Sequence, residues 1–317
     1  MILLVTGATG LVGSAVVRAA AARGDRVLAA VRNVARAKAL FAGLSGVEVI
    51  AWDVTGPAGI KGPIDGIVHA AAETTSRRMV ECPVETMDVT VEGTRNVLAL
   101  AREKRVKGLV YLSSMEVYGA PQEERILTEA DLGPLDHLAP RSSYPLSKRM
   151  AEGMCAAFAR EYAVPVKIAR LAQVIGETLS PDDTRVIAQF AHAVREGRDI
   201  VLHTDGAAAR VYCAIADAVA AILLLLEKGL PGEAYNVANP ATYCSIREMA
   251  EALCAAHPPS KVVIRLTEGL GYAPPCRLRL STAKLEALGW TPRIGLMEAY
   301  GRLLASWRDD MRKGTKI

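Results

Sequence analysis

The glycine-rich segment near the start of the chain constrains the fold more than any other feature. The apolar run Met1–Val5 leads into Thr6-Gly7-Ala8-Thr9-Gly10-Leu11-Val12-Gly13, and an alanine-rich helical pattern follows. In such a turn the first glycine permits a tight bend, the second lets the backbone approach a pyrophosphate, and the third lets helix pack on strand. The helix N-terminus then offers free N–H groups to phosphates. We therefore predict a dinucleotide-binding turn with these candidate contacts: Gly7, Thr9, Gly10, Leu11, Val12 and Gly13.

Strand and helix patterns alternate after this turn. Apolar runs predict strands at Arg26–Val31, Val47–Trp52, Gly66–Ala70, Gly108–Ser113 and Val164–Ala169. Helical patterns separate or precede them at Ser14–Arg23, Val84–Lys104 and Ser143–Tyr162. Alternation of this kind specifies a parallel sheet covered on both faces, with right-handed crossovers. The fold class is therefore α/β, a Rossmann-type doubly wound parallel sheet with a smaller C-terminal substrate-binding region.

The alternation of strand and helix patterns changes near residue 170, where the predicted elements become shorter and turns become frequent. We assign residues 1–170 to the dinucleotide-binding domain, and residues 171–212 and 239–317 to the substrate-binding region. Residues 213–238 return to the first domain, because Asp217–Lys228 reads as an apolar helix and Glu233–Val237 as a buried strand. The chain is thus expected to cross between the two parts more than once.

Charge and composition exclude several classes of protein. The formal net charge is +4, and the chain has no run of five basic residues, which argues against a nucleic-acid partner. Its most apolar stretch, Ala220–Leu226, is well short of a membrane span, and the N-terminus has no basic leader. The six cysteines are scattered without a metal-binding spacing, so we expect no metal site, reduced thiols and a cytoplasmic location.

The choice of dinucleotide depends on the end of the second strand, where an acidic residue usually binds the ribose of NAD. Val31 takes that place and Arg32 follows it, with Arg36 one turn further on. Arginine binds a 2′-phosphate through charge-assisted hydrogen bonds, so NADP is favoured over NAD. The alternative is that Arg32 is a solvated charge and NAD binds without its usual acidic partner. Asp53 is a candidate for the adenine amino group, or it is only a turn former.

Tyr144 and Lys148 are four residues apart on one predicted helix, hence on one face. A phenol that acts as a general base near neutrality needs its pKa lowered by about three units, or ~4 kcal/mol. An ammonium ~4 Å away at an effective dielectric near 20 supplies about that much. We therefore expect the pair to suffice for proton transfer. Ser114 ends a predicted strand, where such sheets place their ligands, and is the candidate to bind the reacting oxygen.

These segments together resemble the NAD-dependent epimerase/dehydratase family of extended short-chain dehydrogenases/reductases. The resemblance covers nearly the whole chain and rests on the glycine turn and the segments His69–Ala72, Glu92–Asn96, Ser113–Gly119, Tyr144–Lys148 and Leu288–Pro292, with Arg170, Asp205, Arg210 and Asp217. It implies Ser114, Tyr144 and Lys148 as catalytic groups and a nucleoside diphosphate sugar as substrate. It also implies further binding positions: Val54, Ala70, Ala71, Tyr144 and Lys148 for the cofactor, Arg210 and Arg277 for the diphosphate, and Tyr212 near the nucleotide. The family resemblance suggests a homodimer formed by helices flanking the sheet.

The departures from the family pattern bear on the reaction. Sugar 4,6-dehydratases resembling this chain carry Asp-Glu where it has Met115-Glu116. A thioether cannot protonate a departing hydroxide, so ordinary dehydration is not expected. Glu116 remains a candidate base, and a glutamate there also resembles UDP-glucuronate decarboxylases. Thr90 and Gln173 each replace an asparagine usual in the family.

Four functions fit these observations. The first is a nucleotide-sugar 4-epimerase or related enzyme that works through a transient 4-keto intermediate with hydride transfer to and from NAD(P). The second is a UDP-glucuronate decarboxylase-like enzyme. The third is a net NADP-dependent ketone or aldehyde reductase, favoured by Val31-Arg32. The fourth, from another class, is a cofactor-sensing binding protein without turnover, which the intact Ser114, Tyr144 and Lys148 set disfavours.

Overall fold

The structure is a computed structural model and describes residues 1–121, 123–267 and 276–314, with side chains described up to residue 308. The strands are β1 Ile2–Thr6, β2 Arg26–Val31, β3 Val47–Ala51, β4 Gly66–His69, β5 Gly108–Ser114, β6 Ile126–Leu127, β7 Val166–Leu171, β8 Gln173–Ile175, β9 Ile200–Leu202, β10 Ala209–Ala214, β11 Ala234–Val237, β12 Asn239–Ser245, β13 Val262–Ile264 and β14 Arg277–Leu280. The helices are α1 Leu11–Ala22, α2 Val34–Leu40, α3 Ser76–Glu81, α4 Pro83–Lys104, α5 Ser143–Tyr162, α6 Val186–Arg195, α7 Ile215–Lys228, α8 Ile246–Ala256, α9 Ala283–Glu286 and α10 Leu296–Gly314.

Seven strands form one parallel sheet in the order β11-β7-β5-β4-β1-β2-β3. The chain leaves β1 first toward β2 and β3 and later toward β4 and β5, so the topological switch lies between β1 and β4. Ligands of open α/β sheets bind outside the carboxyl ends of the strands at that point. The predicted α/β Rossmann-type fold is confirmed.

Apolar side chains pack on both faces of this sheet. Val16 and Val17 of α1 and Ile222 of α7 belong to the core on one face, whereas Val97 of α4 and Cys155 of α5 belong to the core on the other. The strands are buried on both sides, as a doubly wound sheet requires. The apolar stretch of α7 is thus a core helix, as its short length indicated.

The second part of the molecule has smaller sheets. β12, β10, β14 and β6 form one sheet in that order, β8 also pairs with β10, and β13 pairs with β9. A third core lies there, built from α6, α8 and α10 around Phe190, Leu253 and Trp307. Residues Ala234–Val237, although they come late in the chain, form β11 at the edge of the seven-stranded sheet beside β7.

Candidate active site

The turn after β1 can be built only with glycine at two of its positions. Gly7 has φ +62°, and a Cβ on it would lie 2.7 Å from the carbonyl carbon of Ala70 and the nitrogen of Ala71. A Cβ on Gly13 would lie 2.2 Å from the carbonyl oxygen of Gly7. The three segments therefore touch backbone to backbone, which brings the N-terminus of α1 over the edge of the sheet. This is the close packing that the third glycine was predicted to allow.

The first turn of α1 is open on its outer side. Gly10 is exposed and has no side-chain cap, while Leu11, Val12 and Thr9 are partly buried. The first N–H groups of a helix have no carbonyl four residues back within the helix, and its positive dipole end attracts anions. This cradle of backbone and exposed N–H groups fits a pyrophosphate.

A chain of hydrogen bonds through Thr6, His69 and Thr94 fixes the backbone next to the glycine turn. The Thr6 hydroxyl and Nδ1 of His69 are 2.7 Å apart, and the Ala71 N–H donates to the same hydroxyl. The Thr94 hydroxyl donates to the Thr90 carbonyl, so it accepts from Nε2 of His69 at 3.3 Å. His69 is therefore the Nε2–H tautomer and accepts the Thr6 proton at Nδ1. Burial, with a smaller contribution from Lys148, lowers the pKa of His69 to about 3. His69 therefore bonds to neighbouring elements of its own sheet and helix α4.

The far end of the dinucleotide site lies at β2 and β3. Arg32 and Asp53 are both exposed, and the charge of Arg32 contributes to a lowered pKa of Asp53. The largest cause of that shift is the bond from the Thr55 N–H to Oδ1 of Asp53, 3.0 Å long; the Thr55 hydroxyl also donates to this oxygen. Asp53 thus acts as a turn former in the structure. A bond to adenine stays a prediction.

Val54 follows Asp53 and contacts helix α4. A Cβ on Gly93 would lie 2.8 Å from Cγ2 of Val54, and the Asn96 side chain donates to the Val54 carbonyl at 2.8 Å. The Glu92–Asn96 segment therefore fixes the loop after β3 against α4. Val54 is buried, whereas Ala70 and Ala71 are partly exposed at the edge of the sheet.

The catalytic candidates meet at the ends of β5 and α5. Tyr144 and Lys148 are buried, and Nζ of Lys148 lies 5.6 Å from the centre of the Tyr144 ring. The Lys148 ammonium donates to the Leu112 carbonyl of β5 at 2.7 Å. Ser114 ends β5, is partly exposed and accepts the Glu116 N–H, which fixes the turn that follows. The structure therefore brings Ser114, Tyr144 and Lys148 to the same edge of the sheet as the glycine turn.

The prediction that Lys148 suffices to lower the pKa of Tyr144 is wrong. Burial raises the pKa of the Tyr144 phenol, and Glu116 raises it further, while Ser114, Arg141 and Arg185 oppose the rise. The Lys148 ammonium donates to the Leu112 carbonyl and lies 5.6 Å from the centre of the Tyr144 ring. Burial also lowers the pKa of Lys148 to about 8. Charge spacing along the helix takes no account of desolvation, which dominates at a buried site.

Two arginines near the phenol were missed by the sequence arguments. Arg141 binds the Glu116 carboxylate at 2.9 Å, and Arg185 binds both oxygens of Asp183, with its Nη2 2.7 Å from Oδ2. Arg141 lies three residues before Tyr144, so the helix start could have indicated it. Arg185 precedes the first residue of α6 and comes some 40 residues later, and no local pattern relates it to Tyr144.

Met115 does not form part of the reactive surface. Its side chain is 2% exposed and belongs to the core with Leu112 and Val117. The position therefore contributes packing and no acid. Glu116, which is partly exposed, is the carboxylate of this turn that stands close to Tyr144.

The three predicted substrate contacts do not converge. Arg210 is in register with Leu278, whereas Arg277 is in register with Ala209, so the two arginine side chains leave opposite faces of the sheet. Arg277 is exposed and paired with Glu124 at 2.9 Å. Nε of Arg210 and the hydroxyl of Tyr212 are buried without a hydrogen-bond partner among the described residues. The expectation that Arg210 and Arg277 grip one diphosphate together is not supported by this arrangement.

The structure also bears on the predictions about cysteines, metal sites and membrane spans. The six cysteines are free thiols. Within the described ranges no group of three or more His, Cys, Asp or Glu side chains is placed to hold a metal ion. None of the described helices is both long and apolar enough to cross a membrane.

The glycine cradle and the Ser114, Tyr144 and Lys148 set, at one edge of a seven-stranded parallel sheet, define a nicotinamide-dependent enzyme of the short-chain dehydrogenase/reductase class. A sequence model of the NAD dependent epimerase/dehydratase family matches residues 3–238. The chain belongs to that family, as the sequence motifs predicted.

Individual proteins show how far the similarity extends. Over 310 residues the chain is 30% identical to UDP-glucuronic acid decarboxylase 6 of Arabidopsis thaliana, covering 94% of this chain and 86% of that protein. The structure of an epimerase from Methanothermobacter thermautotrophicus has a TM-score of 0.87 at 23% identity, covering 98% of this chain and 93% of that one. A Thermus thermophilus UDP-glucose 4-epimerase in complex with NAD has a TM-score of 0.81 at 25% identity, covering 97% and 99%.

Proposed function

We propose that the protein oxidises the 4-hydroxyl of a nucleoside diphosphate hexuronate and releases the sugar carboxylate as carbon dioxide. The observation on which this proposal depends is that the positive charges of Arg141 and Arg185 both act on the Tyr144 phenol. The bonds to Glu116 and Asp183 engage Nη2 of Arg141, and Nε and Nη2 of Arg185. Nη1 of each guanidinium is left to donate to a substrate carboxylate, a geometry for which arginine is well suited.

The chemistry follows from the order of the groups. Tyr144 first loses its own proton to solvent, and the Lys148 ammonium on the same helix face stabilises the resulting phenolate. The phenolate then accepts the proton of the 4-hydroxyl while Ser114 binds the same oxygen. A nicotinamide cofactor held by the glycine cradle would supply the acceptor for the hydride of carbon 4, and would return that hydride to the ketone after carbon dioxide has left. In its oxidised form it would also add a positive charge that favours ionisation of the phenol. The resulting ketone is β to the carboxylate, so the electrons of the breaking carbon–carbon bond flow into the ketone oxygen. Glu116, held by Arg141, is the acid–base group beside Tyr144 for reprotonation at carbon 5.

This reaction agrees with the absence of an acid at Met115. Decarboxylation needs no group to protonate a leaving hydroxide, whereas 4,6-dehydration does. The relative in Arabidopsis is a decarboxylase named for UDP-glucuronic acid, which favours a uronate as substrate. Arg210 and Tyr212 support a nucleotide on the C-terminal side, because their buried polar atoms have no hydrogen-bond partner in the described part of the chain and could donate to a ligand.

The cofactor preference that we propose is NADP. Its support is the exposed Arg32 after β2, with Asn33 capping α2 through a bond from the Arg36 N–H. Both arginines therefore start from the same turn at the end of β2. NAD is the cofactor in the Thermus thermophilus structure, so the two dinucleotides must be compared directly.

We also propose a homodimer through the helices that flank the sheet. Val84 and Met87 on α4 and Met150 on α5 are 70%, 41% and 52% exposed, which is unusual for large apolar side chains on one pair of helices. The molar mass in solution, measured by light scattering, checks this proposal. A cytoplasmic location is proposed because the cysteines are free.

The reaction is tested by incubating the enzyme and cofactor with UDP-, dTDP-, GDP- and CDP-sugars and resolving the products by mass spectrometry and NMR. We expect loss of carbon dioxide from a nucleoside diphosphate glucuronate. The matched control is the corresponding glucose nucleotide, which has a 4-hydroxyl and no carboxylate and should keep its mass.

Each other outcome points to a different function. An isobaric product would contradict decarboxylation and support a 4-epimerase. Loss of water at a useful rate would contradict the interpretation of Met115. Steady consumption of NADPH with a carbonyl substrate would support a reductase.

A further inference from the structure

A buried ion pair lies one helical turn beyond the catalytic lysine. Glu152 follows Lys148 by four residues on α5, and its carboxylate binds Arg170 of β7, with Nη2 2.7 Å from Oε2 and Nε 3.0 Å from Oε1. Both side chains are buried. Replacing a buried ion pair with apolar residues is often neutral or stabilising, so stability alone does not explain it.

The pair also holds the strand that carries Ser114. The Ser113 hydroxyl donates to Oε1 of Glu152 at 2.6 Å. Lys148 donates to the Leu112 carbonyl, so α5 is joined to two consecutive residues at the end of β5 by two consecutive turns of helix. Ser114 is the next residue of the strand. The distance between Ser114 and the Tyr144–Lys148 helix is thus set by these two bonds.

Arg170 extends the connection to the edge of the sheet. Its Nη1 donates to the Tyr118 hydroxyl at 3.1 Å and to the Glu129 carbonyl at 2.8 Å. The Tyr118 hydroxyl donates to Oδ1 of Asn236 at 2.6 Å. Ser113, Arg170 and Asn236 stand in register on β5, β7 and β11. One row of side chains therefore fixes the end of β5 to two neighbouring strands.

Glu152 also affects the charge state of the Lys148 ammonium. The titratable groups facing the ammonium are Glu152 and Cys155 on its own helix, with Tyr144 one turn earlier, Tyr111 on β5 and His69 on β4. Burial raises the pKa of Cys155, Tyr111 and Tyr144 and lowers that of His69, so these four are neutral near neutral pH. Glu152 is the carboxylate in this set, and it raises the pKa of Lys148 against the effect of burial.

We propose that Glu152 is a positioning residue, which through Ser113 and Arg170 holds Ser114 at its working distance from α5 and keeps the Lys148 ammonium charged. The inference rests on the catalytic set of the proposed function, and it assigns no contact between Glu152 and the substrate. Arg170 balances the Glu152 charge and fixes its orientation.

Two variants separate these roles. Ser113→Ala removes the bond between Glu152 and the strand and keeps the charge of Glu152. We expect kcat to fall about 10-fold, which corresponds to one lost buried hydrogen bond. The alkaline limb of the pH profile of kcat should not move. The double variant Glu152→Gln with Arg170→Met removes both buried charges together. It should lower kcat at an unchanged KM for the sugar and move the alkaline limb of the pH profile down by about one unit.

The measurements are kcat and KM between pH 6 and 10 in ~1-unit steps, thermal unfolding of each variant, and the pH dependence of NAD(P)H affinity by fluorescence. A purely structural role would change the unfolding temperature and leave the alkaline limb in place. A folded double variant with wild-type kcat and an unmoved limb overturns the proposal. If the double variant does not fold, Ser113→Ala decides, since an unchanged kcat there also overturns it. If the wild type converts no sugar, the proposed function fails. The pH dependence of NAD(P)H affinity still tests Glu152 in that case, because an alkaline transition at the same pH in all variants contradicts its role.

Discussion

Tyr144 shows at the level of a single residue how a buried phenol depends on its surroundings. Its pKa is raised by burial and by Glu116, while Ser114, Arg141 and Arg185 lower it. The phenol is therefore protonated at neutral pH until a further positive charge stands beside it. We therefore expect proton transfer by this residue to depend on the binding of an oxidised cofactor.

Replacing Tyr144 with Phe tests its role directly. We expect turnover to fall by about 10²- to 10⁴-fold, because a positioned acid–base group contributes that much, while cofactor affinity stays nearly unchanged. Steady-state rates and a fluorescence titration with NAD(P)H measure the two quantities. Tyr162→Phe, at an exposed position on the same helix, is the control. Activity of Tyr144→Phe within about tenfold of the wild type would exclude it as the proton-transfer residue.

Arg32 is the residue on which the cofactor preference depends. Arg32→Ala should weaken NADP binding by roughly 10- to 150-fold and leave NAD binding unchanged, because one charge-assisted contact to the 2′-phosphate is lost. Calorimetric titration with both dinucleotides gives the affinities. Arg26→Ala, at an exposed arginine at the other end of β2, should affect neither. Equal affinities in the wild type, or tighter binding of NAD, would refute the preference.

Among the elements, α1 depends on the absence of a side chain at Gly13. Gly13→Ala places a methyl group against the Gly7 carbonyl oxygen, which forces the helix away from the turn. Overpacking costs about 1–3 kcal/mol, so cofactor affinity should fall about tenfold or more. Gly153 of α5 is a matched control, since a Cβ there meets nothing within 4 Å. Gly153→Ala should leave affinity unchanged and raise stability by about 0.5–1 kcal/mol. Wild-type affinity in Gly13→Ala would contradict the packing argument.

Sequence patterns predicted those elements whose signals are local. The helix Ser143–Tyr162 and the strand Arg26–Val31 were predicted with the bounds that they have. Helix α1 begins at Leu11, three residues before its predicted start, because Gly13 lowers helix propensity yet is needed for contact with the turn. Strand β7 continues through Arg170, where a charge reads as the end of a strand. Its partner Glu152 lies on another element, so no local pattern reveals that this charge is buried.

The same distinction applies to the candidate site. The spacing of Tyr144 and Lys148 and the strand end at Ser114 are local, and the structure brings these residues together. The approach of Arg185 to Tyr144 and the separation of Arg210 from Arg277 depend on how distant segments fold over the sheet. Desolvation also depends on the whole fold, which is why the sign of the Tyr144 shift was predicted wrongly.

For the whole molecule, His69 couples stability to pH. Its pKa is lowered to about 3 in the folded state, whereas an unfolded histidine titrates near 6.5. Between these values the unfolded chain binds a proton that the folded protein does not, so the stabilisation is complete above pH 6.5 and is lost as pH falls toward 3. His69→Asn should reduce the slope of unfolding free energy against pH by roughly 1.4 kcal/mol per unit in that window.

Urea unfolding between pH 4 and 8 in ~1-unit steps measures this slope. His203→Asn, at an exposed histidine, is the control and should keep the wild-type slope. A His69 variant whose slope matches the wild type would show that the ring is already charged, or already neutral, in both states.

Strand β11 lies at the edge of the seven-stranded sheet but comes more than 60 residues after β7 in the sequence, which limits how the chain can be divided. A fragment ending after β7 would lack both the strand that pairs with β7 and helix α7, which covers one face of the sheet. Its last strand would present unpaired N–H and C=O groups next to bare apolar surface, a combination that recruits other chains. The first 171 residues, although they contain the glycine turn and the Tyr144 helix, are therefore expected to aggregate when synthesised alone, and the growing polypeptide must wait for residue 237 before its nucleotide-binding half can close.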